Sequence, residues 1–150
     1  MRALYLLPAL LLVAACGEKV APEEVVPETT APAALTAAAV SGTWTGMTMT
    51  EGVADSTTWT ATSTSDSTGT LTLPGIPDPV GYTVMFDADS AIFTTFPFVD
   101  PSRDDGMMVK ERSVGRLQAD GQMVGSYELM LVGSDSVIAR GTWHGSRAPM

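Results

Sequence analysis

The sequence predicts an all-β domain, an eight-stranded antiparallel up-and-down β-barrel, with a β-sandwich as the alternative architecture. From residue 41 onward, apolar and polar residues alternate over short runs that Gly, Pro or Asp interrupt, which is typical of strands. A convincing apolar period of 3.6 residues is missing, so the pattern does not favour helices. Several closely spaced short strands favour a barrel or a sandwich. The eight candidate strands are 41–50, 56–64, 68–73, 80–87, 90–96, 107–118, 122–132 and 137–145.

A leader and a linker precede this domain. Arg2 is followed by the uncharged residues 3–15, a run too short for a membrane span of about 20 residues. A positive start, a short apolar core and small residues before a cleavage site indicate a signal peptide over 1–15. Residues 16–40 are rich in Pro, Ala and Glu, which favours an extended, hydrated tether, with one or two helical turns within 33–40. The β-barrel domain is therefore predicted over 41–150.

The chain has a single cysteine, Cys16, which cannot form an internal disulfide. The stretch that ends there, Val-Ala-Ala-Cys (13–16), resembles the bacterial lipobox. This resemblance implies that Cys16 carries a diacylglycerol and becomes the first residue of the mature chain. Gly17 follows in place of the Asp that marks inner-membrane retention in enterobacteria, which implies an outer-membrane lipoprotein facing the periplasm, with surface exposure left open. The alternative is an ordinary free or buried thiol.

The hairpin around Asp120-Gly121 allows a prediction of strand register. A three-residue loop, 119–121, with Gly121 in the left-handed conformation places Leu117 opposite Met123 and Arg112 opposite Glu128, which separates the apolar face from the charged face. A two-residue loop mixes the faces. The preferred register has a consequence: Glu111 lies on the apolar face, opposite Leu129. We interpret Glu111 as a polar contact in a binding pocket, or else as a bulge or rim position that reaches water.

Two similar stretches lie in the first and last predicted strands. Each places Gly, Trp and Gly on one face: Gly42, Trp44 and Gly46 in one, Gly141, Trp143 and Gly145 in the other. The glycines leave room for an indole from a neighbouring strand. First and last strands become neighbours when a barrel closes, so the pair of motifs favours closure.

The first of these motifs, Gly42-Thr43-Trp44, resembles the opening strand of the calycins, the lipocalin and avidin group of eight-stranded barrels. The resemblance implies that Trp44 closes one barrel end and that an arginine from a late strand, Arg140 or Arg147, packs on it. It covers three residues and implies the fold only. An avidin-like biotin site is disfavoured, because such a site uses several tryptophans and two of the three here are assigned to structural roles.

Composition narrows the classes of function. The net charge of −9 disfavours nucleic-acid binding. One histidine, His144, cannot build a His-rich metal site, and the Asp-rich stretches 87–90 and 100–106 are interpreted as turns rather than calcium loops. Catalytic motifs with a known mechanism were not found. We therefore expect no catalytic residues, no enzyme activity, no metal and no cofactor.

The remaining hypothesis is a binding module that holds a small apolar ligand in its lumen. The predicted ligand-binding residues are the inward-facing aromatic residues of three strands and one carboxylate: Trp59, Tyr82, Phe86, Glu111 and Tyr127. The many threonines between 43 and 72 are assigned to the solvated outer face. The alternative is a structural or interaction lipoprotein with a filled barrel. The expected partners are the membrane, through the lipid anchor, and a small hydrophobic ligand or an envelope protein.

Overall fold

A computed structural model describes residues 34–101, 103 and 105–149. The predicted signal peptide, Cys16 and most of the tether lie outside these residues. The described part contains one short helix, α1 (Ala37–Val40), and nine strands, and the eight predicted strands are all confirmed. The strands are β1 (Thr43–Thr50), β2 (Ser56–Ser63), β3 (Thr68–Thr72), β4 (Val80–Asp87), β5 (Ser90–Thr95), β6 (Phe98–Val99), β7 (Met108–Leu117), β8 (Met123–Leu131) and β9 (Val137–Arg147).

The predicted barrel is also confirmed, and eight of the strands close it. Each strand pairs antiparallel with its neighbour in the chain, except that β5 pairs with β7 and the two-residue β6 lies beside β7 as an extra strand. Closure is completed by β1 and β9, where Gly46 lies opposite Gly145 and Thr48 opposite Trp143. The two Gly-Thr-Trp strands are therefore neighbours, and neither leaves an open sheet edge.

The hairpin between β7 and β8 has the predicted register. Leu117 lies opposite Met123, Glu111 opposite Leu129 and Arg112 opposite Glu128, and Gly121 has φ +84°. The ladder between these strands runs without interruption from Val109 to Leu117, so Glu111 does not occupy a bulge. The charge pairing differs in one detail. The Glu128 carboxylate accepts a hydrogen bond from Nε of Arg140 on β9, at 3.0 Å, rather than from Arg112, its register partner on β7.

One end of the barrel, the helix end, is closed by the segment that precedes β1. Leu35, Val40 and Trp44 are buried there, and the Trp44 indole N–H donates to the Val40 carbonyl at 3.0 Å. The last part of the predicted tether, residues 34–40, therefore packs against the barrel, because its apolar side chains cover the lumen. Among the described residues, no helix has the length and apolar character needed to cross a membrane.

Arg147, at the end of β9, ties this closing segment to the barrel. Its guanidinium carbon lies 4.9 Å from the centre of the Trp44 ring, and its Nη2 donates to the Ala39 carbonyl at 2.7 Å. Nη1 donates to the Ser41 carbonyl. Of the two arginines considered from the sequence, Arg147 is thus the one that packs on Trp44.

Glycines make room for the indoles, as predicted. The Trp59 ring lies over Gly46 and Gly145, and the Trp143 ring lies over the facing pair Gly115 and Gly125. A Cβ atom on Gly125 would lie 2.6 Å from the Trp143 ring, closer than real contacts allow. The large side chains that fill the lumen therefore depend on neighbours that have no side chain.

Candidate functional site

The lumen contains a cavity of about 80 Å³. Its apolar lining comes from the helix end and from several strands: Val40, Ala61, Leu71, Leu73 and Met123. Leu73 follows β3 at the opposite end of the barrel, which we call the loop end because the connections 51–55, 73–79, 96–107 and 132–136 lie there. The cavity therefore runs along the barrel between the two ends.

Five aromatic side chains contribute to its wall: Trp44, Trp59, Tyr82, Phe93 and Trp143. Four of them make a continuous edge-to-face series. Trp59 and Trp143 have ring centres 5.8 Å apart, Trp143 and Phe93 6.2 Å, and Phe93 and Tyr82 5.7 Å. This geometry is the favoured one for aromatic pairs, so the wall has a defined shape. All three tryptophans of the chain line the cavity.

The polar part of the lining is small and is located mainly on β5 and β7. It consists of Thr48, Thr95, Glu111 and Ser113. Thr95 and Ser113 are buried, and the Thr95 hydroxyl oxygen accepts a hydrogen bond from the Glu111 backbone N–H at 2.8 Å. A mainly apolar pocket with a few convergent polar groups is the usual form of a small-molecule site.

The Glu111 carboxyl group is the most unusual feature of the lining. Val109, two residues nearer the loop end on the same face, has no exposed surface, so Glu111 lies below the rim. Most of the group is enclosed by protein atoms and the rest faces the cavity, which leaves the side chain half-buried. Within the described part of the chain it has neither a hydrogen-bond nor an ion-pair partner. Burial raises the pKa of Glu111 to about 7, because the charged form loses hydration.

Tyr127 shows that further negative charge lies close by. Burial raises the pKa of its phenol, a hydrogen bond with Thr50 opposes this, and the carboxylates of Glu111, Asp100 and Glu51 raise the pKa further. The Tyr127 and Thr50 hydroxyl oxygens are 2.6 Å apart. Burial likewise raises the pKa of Tyr82, and a hydrogen bond with Ser63 opposes it.

The structure brings three of the five predicted ligand-binding residues to the cavity. Trp59, Tyr82 and Glu111 line it together. Tyr127 is buried in the same core but directs its hydroxyl to Thr50, outside the lining. Phe86, near the end of β4 at the helix end, is partly buried against the core and also lies outside the lining.

Several lining residues were not predicted from the sequence. Thr48 had been assigned to the outer face with the other threonines, and this is wrong: it lines the cavity, and Thr50 on the same face bonds Tyr127. The sequence does indicate this position, because Thr48 and Thr50 lie an even number of residues from Trp44 along β1 and so point to the same face of the sheet. Ser113 was placed on this face by the register but was not named as a site residue. Thr95 was missed because β5 has no clear alternation, and the sequence suggested Phe93 only as part of an apolar segment at a barrel mouth or partner patch.

Carboxylates dominate the surroundings of the loop end. Its connections carry Glu51, Asp55, Asp78, Asp100, Asp105 and Asp135 among the described residues. The basic side chains described there, Arg103 and Lys110, form ion pairs with Asp105 and Asp135. None of the lining residues is basic. The electrostatic potential at this end is therefore negative.

In the part of the chain that is described, no group of three or more His, Cys, Asp or Glu side chains is arranged to hold a metal ion. Comparison of the chain with protein-family models, curated proteins and solved structures found no match. The site must therefore be interpreted from its own geometry.

Proposed function

We propose that this protein is a binding module whose barrel lumen holds a small, mainly apolar ligand. The observation that carries the proposal is the cavity itself, with an unpaired carboxyl group facing it from a mainly apolar wall. An unpaired carboxylate in a mainly apolar cavity lowers the stability of the fold. Proteins retain such destabilising charged groups mainly at functional sites.

The volume limits the size of the ligand. A cavity of about 150 Å³ accepts benzene, a molecule of six heavy atoms. The lumen offers about 80 Å³, which in the same proportion suits a group of about three heavy atoms as it stands, and a probe of five heavy atoms enters only if lining side chains shift slightly. A whole lipid is too large for the lumen in this conformation.

The arrangement at the helix end supports placing the domain with the calycins. Trp44 on β1 and Arg147 on β9 pack together there, as the resemblance implies. We include that relationship in the proposal, since many calycins enclose a ligand in an eight-stranded barrel. It supports the architecture of a ligand carrier and leaves the ligand to be identified by experiment.

A titration with isobutanol, a neutral probe of five heavy atoms, tests binding. The three indole N–H signals in the ¹H–¹⁵N spectrum report on the cavity, because all three tryptophans line it. We expect saturable shifts of these signals with millimolar affinity. Ala61→Leu, which adds three carbon atoms to the lining, should abolish the shifts, whereas the exposed Thr58→Leu on the same strand should retain them.

Absence of a saturable indole shift with the wild-type protein would contradict the proposal. Equal shifts in the Ala61→Leu variant would place the probe outside the lumen and contradict it as well. Far-ultraviolet circular dichroism of both variants checks that the barrel is intact.

A second candidate is a structural or interaction protein of the cell envelope. It is favoured by the degree to which side chains already fill the lumen and by exposed apolar residues at the loop end: Val53, Phe96, Val99, Met107, Met108 and Val132. If the protein acts through its surface, a cell that carries the Ala61→Leu variant should behave as the wild type does. If the protein acts through a ligand in the lumen, that cell should behave as one that lacks the protein.

We further propose that the barrel is attached to the membrane through a lipid on Cys16, most simply at the outer membrane. The support is the lipobox-like sequence alone, since Cys16 lies outside the described residues. Two or more acyl chains give stable anchoring, because each buried methylene contributes about 0.8 kcal/mol.

A further inference from the structure

We propose that the ligand of the lumen is a small organic ammonium ion, whose charged nitrogen is held by Glu111 and whose alkyl part lies against the aromatic wall. This inference rests on the proposed function and specifies its ligand class. It follows from the partners that Glu111 lacks, from the chemistry of the wall and from the charge around the loop end.

The carboxyl group of Glu111 is available to a ligand. A carboxyl group largely enclosed by protein is normally paired or hydrogen-bonded, but Glu111 has neither kind of partner among the described residues, and its oxygen atoms keep accessible surface. Its own backbone N–H is used by Thr95 at 2.8 Å, so local backbone does not satisfy the carboxyl oxygens. The group therefore presents acceptor atoms to whatever occupies the cavity. An ammonium group supplies both the donors and the opposite charge.

The aromatic wall favours a cation. Trp59, Trp143, Phe93 and Tyr82 surround the space that the carboxyl group faces. Aromatic rings attract an organic cation through their negative faces at distances up to about 6 Å, and the attraction is largest for tryptophan. The negative faces of the same rings repel an anion, and none of the lining residues is basic. The lining therefore discriminates against carboxylate and phosphate ligands.

The charge around the cavity also favours a cation. The chain has a net charge of −9, and carboxylates dominate the loop-end connections. The titratable groups that act on the same region are Tyr127, Asp100 and Glu51, with Tyr82 across the cavity. When ionised, each of these adds negative charge. Such a field raises the local concentration of cations and repels anions.

The experiment compares two probes of the same size, isobutylamine and isobutanol, by the indole signals of the purified protein at pH 8. The amine is protonated and Glu111 is ionised at this pH. We expect isobutylamine to bind at least tenfold more tightly than isobutanol. Glu111→Gln, which removes the charge and keeps the shape, should reduce amine affinity at least tenfold and change isobutanol affinity less than twofold.

The matched control is Glu128→Gln. Glu128 lies on β8 next to Leu129, the register partner of Glu111, but its side chain is on the outer face with Arg140. We expect this variant to bind both probes as the wild type does. A second control needs no substitution: at pH 5 the wild-type Glu111 is protonated, so the advantage of the amine over the alcohol should disappear.

The outcomes separate the two claims. If isobutanol binds as tightly as isobutylamine, or if Glu111→Gln leaves amine binding unchanged, the inference is wrong and the lumen remains a binding site for neutral ligands. Equal losses of isobutylamine affinity in Glu111→Gln and Glu128→Gln would indicate nonspecific attraction by the net charge. That result would also overturn the inference. If neither probe binds, the proposed function fails together with the inference.

Discussion

At the scale of single residues, Glu111 decides how the lumen is interpreted. Its inward position was predicted from the hairpin register, because only the three-residue loop separates apolar from charged faces. Its lack of a partner was not predictable, since that depends on which residues the other strands bring across the lumen. Thr95, from a strand without clear alternation, contacts the Glu111 backbone instead of its side chain.

The pH dependence of stability follows from this residue. The folded state raises the pKa of Glu111 from 4.5 to about 7, so the native protein binds this proton more tightly than the unfolded chain does. Its contribution to the free energy of unfolding therefore falls as the pH rises from 4.5 to 7, and stays constant above that range. At 1.36 kcal/mol per pH unit over about 2.5 units, the loss is at most about 3.4 kcal/mol, and solvent contact of the half-buried side chain lowers it.

Urea unfolding of Glu111→Gln and wild type at pH 5 and pH 8 measures this contribution. The difference in the free energy of unfolding, variant minus wild type, should be about 2 kcal/mol larger at pH 8 than at pH 5. The reason is that glutamine stays neutral whereas the wild-type Glu111 ionises over this range. Glu128→Gln, which removes an exposed ion pair, should show a change below about 1 kcal/mol in either direction. An identical pH dependence for wild type and Glu111→Gln would show that the carboxyl group is hydrated or paired in solution.

At the scale of elements, glycines on one strand determine where indoles from another can lie. The sequence predicted this pairing from the two Gly-Thr-Trp stretches, and the structure confirms it for Trp59 over Gly46 and Gly145. The same stretches did not predict that Trp143 lies over the facing glycines of β7 and β8. That contact depends on the tilt of strands in the closed barrel, which a linear pattern does not contain.

Gly125→Ala tests this packing. A Cβ at this position meets the Trp143 ring at 2.6 Å and also approaches the Val114 carbonyl, so the indole must move. We expect a loss of about 1 to 3 kcal/mol in the free energy of unfolding, as for other overpacked cores. Val124→Ala, at an exposed position on the same strand, should change stability by less than about 1 kcal/mol. A neutral Gly125→Ala would mean that the Trp143 ring is not held in this position.

The helix end is a second element-scale feature. The tether was predicted to reach residue 40, and short helical turns were expected near its end; the structure shows α1 there, packed on the barrel. Composition alone did not indicate the packing, because Leu35 and Val40 are isolated apolar residues in an alanine-rich stretch. Their burial depends on Arg147 from the far end of the chain, which binds the carbonyls of Ala39 and Ser41.

Arg147→Gln should loosen this closure. The variant loses the stacking on Trp44 and the charged hydrogen bonds to two carbonyls, each worth about 1.5 kcal/mol or more when fully buried and less at this exposed position. We expect a total loss of about 1 to 2 kcal/mol and faster amide exchange of residues 39–44. Arg140→Gln, which breaks only the exposed pair with Glu128, should leave that exchange unchanged. Equal exchange in both variants would contradict the role assigned to Arg147.

At the scale of the whole molecule, we propose a barrel that is tethered to a membrane at Cys16 and holds a small cation in its lumen. The fold was predictable from the sequence because strand alternation, hairpin register and the terminal Gly-Thr-Trp motifs all agreed. The candidate site was predictable only in part. Trp59, Tyr82 and Glu111 line the cavity, whereas Phe86 and Tyr127 point to the same face of the sheet but lie outside the lining.

Cys16→Ala tests the anchor. Without the thiol there is no acceptor for the diacylglycerol, so we expect the variant to remain uncleaved or to appear in the soluble fraction. Fractionation of bacterial membranes and intact mass of the protein measure both properties. A variant that still fractionates with the outer membrane, at the mass of the mature wild-type polypeptide, would contradict lipid attachment at this residue.

The most direct test of the central claim is a crystal structure of the protein grown with isobutylamine at pH 8. We predict one molecule in the lumen, with its nitrogen within hydrogen-bonding distance of the Glu111 carboxylate and its methyl groups against Trp59 and Trp143. A lumen that holds only water or side chains, with the amine absent or bound to surface carboxylates alone, would contradict the account.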